Sequence, residues 1–134
     1  MENKTVENTR YNILLIEDDK LDQEAFTRLV EDQGLPYDCK IAGSISEAKS
    51  ILGRESFDVI ITDYSLGDGT AFDILAAVKN TPIILITGTE EVVTDTLSSC
   101  VCDFLVKDVE RNYLKAVPKT IENAVKGKRA EVEL

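Results

Sequence analysis

Glu17, Asp18 and Asp19 follow one another directly after the apolar run NILLI (12–16). Two carboxylates about 4 Å apart repel by about 4 kcal/mol at an effective dielectric of about 20. A fold keeps such a cluster where a cation, a cationic side chain or solvent compensates it. Other groups able to do chemistry also stand at the ends of apolar runs: Asp63 after VIIT (59–62), Thr87 closing IILIT (83–87) and Lys107 after FLV (104–106). Hard carboxylate oxygens suit Mg²⁺, which takes one or two carboxylates and keeps several waters. A lysine and a hydroxyl can hold a dianionic phosphoryl group beside such an ion.

Taken singly, each residue has a bland explanation. An Asp after a strand is often the N-cap of the next helix, and Asp19 fits that role. A Thr at a strand end reflects β-propensity, and a Lys is usually a solvated charge. The set acquires meaning from the elements that position it.

Five apolar segments recur along the chain: 12–16, CKIA (39–42), 59–62, 83–87 and 104–106. Several are continuous rather than alternating, as in strands buried on both faces of a parallel sheet. Stretches with helical spacing lie between them. The first carries Leu21, Ala25, Leu29 and Val30, with Gly34 at the C′ position. The second opens with the capping-box pair Ser44 and Glu47 and places Ala48, Ile51 and Leu52 on one face. The third holds Phe72, Leu75, Ala76 and Val78. The fourth, over 91–99, has weaker propensity because Val92, Val93 and its threonines are mediocre helix formers. The last holds Leu114, Val117, Ile121, Ala124 and Val125. Pro118 suits a first turn, so a short turn over 109–115 precedes a helix beginning near Val117.

This alternation implies an α/β fold: a flavodoxin-like (βα)5 three-layer sandwich with a parallel five-stranded sheet of order 2-1-3-4-5. Ligands in such sheets bind beyond the carboxyl ends of the strands, where the strand order reverses. Glu17, Asp18 and Asp63 then converge between the first and third strands, with Thr87 and Lys107 approaching from the other side. The acids at 17–19 are expected to form a cation site.

Composition limits the alternatives. The chain has 134 residues, enough for one domain, and 43% hydrophobic residues, enough for a core. A net charge of −10 argues against nucleic-acid binding and against a polybasic membrane contact. No apolar run approaches a membrane span and the polar start lacks a signal-peptide core, so the expected location is cytoplasmic. Cys39, Cys100 and Cys102 do not have a zinc spacing and are expected to be reduced and partly buried. There is no histidine, which removes Ser-His-Asp and Cys-His catalysis and any role as a phosphohistidine donor.

The ordered set of strand-end residues resembles the receiver domain of two-component response regulators over about 11–126. The resemblance implies that Asp63 is the phosphoacceptor and that Mg²⁺, or Mn²⁺ in its place, is held by Asp18, Asp63 and the Ser65 backbone carbonyl, with Glu17 acting through water. Thr87 and Lys107 would contact the phosphoryl group. Phe104, three residues before the lysine, would be the aromatic switch. Ser65 and Thr89 would tune dephosphorylation by controlling water access. The implied partner is a sensor histidine kinase or phosphotransfer protein, with no direct nucleic-acid or membrane contact. A signalling domain that assists its own phosphorylation and dephosphorylation is implied, rather than an enzyme.

The family's changing surface would here include Val92, Val93 and Leu97 with Phe104 behind them. A homodimer could form through the fourth helix, the fifth strand and the last helix. Residues 1–10 read as a flexible N-terminal segment, and 127–134 as a charged linker or helix extension. The pattern DFLVKD followed by Pro118 resembles receivers that precede sensory or kinase domains, which suggests a piece of a larger protein.

Three departures from the family pattern stand out: Gly67 where a proline is frequent, Ala71 where a glycine is frequent, and Asp108 where a cis proline commonly follows the lysine. The last implies a trans or rebuilt loop after Lys107. Two other classes share part of this pattern. A dehalogenase-like phosphohydrolase commonly has a second Asp two residues after its nucleophile, where this chain has Ser65. A phosphorylation-independent docking module would need a lost acceptor or lysine, and both are present.

Overall fold

The computed structural model describes residues 10–78, 80–88 and 101–133, with side chains at all of these except 101, 102 and 128–133. Five parallel strands form the central sheet: β1 (Tyr11–Ile16), β2 (Tyr37–Ala42), β3 (Val59–Asp63), β4 (Ile83–Thr87) and β5 (Val101–Val106). Their spatial order is β2-β1-β3-β4-β5, as the alternating pattern implied. The strands of the sheet run parallel throughout.

The continuous apolar runs are explained by two cores. Leu14 and Ile16 of β1 face one core with Ile60, Ile83 and Leu85; Ile13 and Leu15 face the other with Val59, Ile61, Ile84 and Ile86. The first core is covered by α2 (Ile45–Leu52) and α3 (Ala71–Leu75), through Ile45, Ala48, Ile51, Ile74 and Leu75. The second is covered by α1 (Lys20–Asp32) and the C-terminal helix α4 (Val117–Glu133), through Phe26, Val117, Ile121 and Val125. The result is the three-layer flavodoxin-like sandwich.

Local chemistry sets the helix ends. The Asp19 carboxylate caps α1 by accepting from the Leu21 and Asp22 amides. Gly34 follows α1 with φ of +59°, a conformation that costs glycine little. The Ser44 hydroxyl caps α2 by accepting from the Glu47 amide, while the Glu47 carboxylate accepts from Gly43 N at 2.8 Å. A one-turn 3₁₀ segment (Asn112–Ala116) precedes α4, so Pro118 sits in the first turn of a helix beginning at Val117.

Several expectations require correction. α3 ends at Leu75, short of Val78, and its buried residues are Ala71, Ile74 and Leu75. Phe72 is instead exposed and packs edge-on against Tyr64, with ring centroids 5.9 Å apart. In α1 the buried residue is Phe26, whereas Leu21 in the first turn is 65% exposed. Cys39 is free but exposed on β2. A small antiparallel hairpin, Ser65–Leu66 with Gly69–Thr70, follows β3 and was not legible in a two-residue pattern. The expected fourth helical stretch over 91–99, with Val92, Val93 and Leu97, lies outside the described residues, as do Thr89 and residues 1–9. Among the described residues no helix is long and apolar enough to cross a membrane.

Candidate functional site

The sheet order brings the ends of β1 and β3 side by side. Glu17 extends the β1 ladder, since its amide donates to Ala42 O at 2.9 Å. That hydrogen bond carries its side chain into the interior, where Glu17 is 2% exposed. Asp18, one residue later, is exposed. Asp63 is the last residue of β3 and has only 13% of its side chain exposed. Ligand oxygens from Glu17, Asp18 and Asp63 all lie within 4.8 Å of one another. The sequence placed these three acids together, and the fold does so.

Lys107 follows β5 and is held there by its own amide, which donates to Thr87 O at 2.8 Å. Its ammonium reaches over the acids. Nζ lies 3.0 Å from Glu17 Oε1, 3.1 Å from Asp63 Oδ2 and 2.9 Å from Asp22 Oδ2. Burial alone would lower the lysine pKa, but the hydrogen bonds and charges of Asp22, Asp63 and Glu17 outweigh it and raise it, so Lys107 is a fixed cation. Asp63 behaves in the opposite way. Burial, reinforced by the neighbouring Glu17 charge, pushes its carboxyl up to about 7 despite Lys107.

Thr87 ends β4 and is buried at 4% exposure. In register it pairs with Val106, while Phe104 pairs with Leu85. Leu85 and Phe104 face the core under α2 and α3, and Phe104 is only partly buried there. By the period-2 alternation of β4, Thr87 points to the same face as Leu85. Thr87 and Phe104 therefore stand on one face of adjacent strands. Ser65 opens the hairpin after Asp63 and is exposed. Thr89 lies outside the described residues.

The hairpin is tied to both sides of the site. Asp18 Oδ2 accepts from Gly67 N at 3.2 Å, so the backbone donor belongs to the residue standing where the family often has proline. Asp68 reaches to α2 and accepts from the Ile45 amide at 2.8 Å and the Ser46 amide at 3.0 Å.

The loop after Lys107 has no cis peptide among the described residues. Asp108 instead organises it, accepting from the amides of Asn112 and Tyr113 at 3.1 Å each. This turn presents Arg111, whose Nε donates to Asp22 Oδ1 at 2.8 Å. Asp22 and Arg111 carry no distinctive sequence signal. Asp22 resembles an ordinary first-turn helix acid, and only its place one turn past the strand-end acids hinted at more.

The acids fit a small hard cation: three carboxylates converge, one of them exposed to admit it, with a fixed ammonium alongside to receive anionic oxygens. Carboxylate donors of this kind suit Mg²⁺ or Mn²⁺ rather than a soft metal.

Comparison with known proteins agrees with this geometry. Residues 13–118 match the family described as the response regulator receiver domain. The alginate biosynthesis transcriptional regulatory protein AlgB of Pseudomonas putida is 27% identical over 126 residues, covering 89% of this chain and 28% of the relative. The regulatory protein LuxO of Vibrio cholerae is 32% identical over 98 residues, covering 69% of this chain and 21% of the relative. The chain thus spans about a quarter of the length of these relatives. Among solved structures, the signal receiver domain of a LuxO repressor protein from Vibrio parahaemolyticus superposes with a TM-score of 0.79 at 23% identity, covering 92% of this chain and 95% of that one. A CheY-like receiver domain protein from Methanospirillum hungatei gives 0.78 at 20% identity, covering 92% and 99%. This chain belongs to the response regulator receiver domain family of two-component systems.

Proposed function

We propose that this receiver domain is a phosphorylation switch that takes a phosphoryl group onto Asp63 from a histidine-phosphorylated partner. The observation that carries the reading is the convergence of Glu17, Asp18 and Asp63 within 4.8 Å, with Lys107 Nζ 3.1 Å from Asp63. In the reaction an Asp63 carboxylate oxygen attacks phosphorus as the phosphorus–nitrogen bond of the donor breaks. The bonding pair leaves on the imidazole nitrogen, which takes a proton from solvent. Mg²⁺ held by Asp18, Asp63 and the Ser65 carbonyl, with Glu17 acting through water, would offset charge on the attacking and phosphoryl oxygens.

The protein's own contribution is positioning and electrostatics. Asp63 is buried enough to be poorly solvated, and Lys107 stands ready to contact the arriving oxygens. Thr87 would be drawn towards the phosphoryl group, and the partly buried Phe104 ring on the same face would take up the space it leaves. The ring has no hydroxyl, so this switch works by packing. Ser65 and Thr89 are small, which supports water entry and spontaneous loss of the phosphoryl group.

The domain acts as a signalling module that assists its own phosphorylation and dephosphorylation. Its net charge of −10 supports a protein partner in the cytoplasm rather than nucleic acid or a lipid surface. A homodimer through the fourth-helix, β5 and α4 face is part of this reading. Residues 11–126 are the receiver unit, with 1–10 and 127–134 as its flanks; α4 continues through this C-terminal flank to Glu133. The test is transfer from a radiolabelled histidine-phosphorylated phosphotransfer protein with Mg²⁺. Label should move to this chain, and chelating the metal beforehand should abolish the transfer. No transfer from any such donor would overturn the reading.

A further inference from the structure

Lys107 has three carboxylate partners. Under the proposed function, Glu17 and Asp63 turn to the metal and the phosphoryl group, and Asp22 is the partner that remains. Its side chain is 13% exposed and projects from the first turn of α1. One oxygen faces Lys107 at 2.9 Å, and the other is held by Arg111 at 2.8 Å. The carboxylate is thereby fixed at both ends.

Charge explains why two residues are needed. A lone acid would hold the lysine but repel an incoming dianion. Paired with Arg111, Asp22 anchors the ammonium without adding net negative charge. A lysine stem is flexible, with a compact ammonium of three rotatable donors, so an anchor matters more for it than for a pre-organised planar guanidinium.

Arg111 is itself held unusually. It has φ of 59° and ψ of 34°, the left-handed region, which is strained for a residue with a side chain. Its amide donates to Asp108 O at 3.0 Å, and the Asp108 carboxylate fixes the residues that follow. The loop that lacks the family's proline is thus built so that Arg111 meets Asp22.

We propose that Asp22 is a positioning residue for phosphoryl acceptance, holding Lys107, with Arg111 as its counterweight, where the phosphoryl oxygens arrive. The proposal rests on the reading of Asp63 as acceptor. Initial rates of labelling by acetyl phosphate with Mg²⁺ test it, over a range of donor concentrations. Asp22→Ala and the isosteric Asp22→Asn should each lower the rate constant about tenfold. Mg²⁺ affinity measured by calorimetry should stay within about twofold. Asp22→Glu should restore most of the rate. Arg111→Ala should slow labelling less, and the double variant should be no slower than Asp22→Ala.

Wild-type or faster labelling by Asp22→Ala and Asp22→Asn would overturn the proposal, a faster rate meaning that Asp22 competes for Lys107. It would also be overturned if metal affinity and thermal midpoint fell together with the rate and Asp22→Glu gave no rescue, which would mark a structural role alone. If the wild-type protein took no label at all, the acceptor reading would fall and this proposal with it.

Discussion

Lys107 Nζ lies 3.1 Å from Asp63 Oδ2, joining the loop after β5 to the end of β3. The same ammonium neutralises Glu17, whose side chain is 3% exposed. Without metal, Lys107 is what makes the buried Glu17 and the partly buried Asp63 tolerable at adjacent strand ends.

Lys107→Ala should therefore destabilise the metal-free protein by about 3 kcal/mol, since breaking a buried pair strands a charge. The loss should shrink in Mg²⁺, because the ion takes over neutralisation. Urea denaturation of both proteins with and without Mg²⁺ checks this. An equal loss in the two conditions would mean that ion and lysine do not share the same acids.

Asp63 carries its own pH signature. Its carboxyl is raised from the ordinary 3.8 to about 7 in the folded state, so folding takes up a proton between those values. Its contribution to stability is full below the unfolded pKa of about 3.9 and is lost as pH rises through about 7. Metal-free wild type should thus gain stability relative to Asp63→Asn as pH falls from 8 to 5. The two proteins' thermal midpoints across that range decide it, and parallel curves would contradict the shift.

Mg²⁺ binding should show the reverse dependence, because a proton on Asp63 competes with the ion. At tenfold excess over its dissociation constant Mg²⁺ should add about 1.4 kcal/mol of stability. Asp18→Asn should weaken this effect, although Asp18 also accepts from Gly67 N at 3.2 Å. A midpoint unmoved by millimolar Mg²⁺ at pH 8 would count against the site.

Asp68 joins the hairpin after Asp63 to the start of α2. Its carboxyl lies below the usual range because the Ile45 and Ser46 amides hydrogen-bond it. Asp68→Ala should leave two helix N-terminal donors without this acceptor. Amide exchange should then quicken over 45–47 while labelling of Asp63 changes little. Unchanged exchange would show that the Ser44 cap alone holds that turn.

The sequence was most informative where burial dominates. Continuous apolar runs around Ile13, Ile60 and Ile84 marked strands covered on both faces, and the polar residue ending or following each run, Glu17, Asp63 or Thr87, then fell at the site. Pro118 located the start of α4, because a ring without an N–H belongs in a first turn. Legibility failed where tertiary contacts decide. Phe72 looked like a core residue by spacing, yet Tyr64 offers it an exposed aromatic partner. Asp22 and Arg111 are 89 residues apart, and nothing local reveals that they meet. Asp108 was legible as a missing proline, but its role as a capping acceptor required the loop itself.

On the proposed function, Asp63 alone accepts the phosphoryl group. The direct measurement is incubation with acetyl phosphate and Mg²⁺, followed by intact-mass analysis and mapping of the modified peptide. Wild type should gain a single phosphoryl group, on Asp63, and lose it on standing with Mg²⁺, and chelating the metal beforehand should prevent the labelling. The nearly isosteric Asp63→Asn should remain folded and gain none. Undiminished labelling of Asp63→Asn, or a phosphoryl group mapped to another residue in wild type, would remove Asp63 from the acceptor role.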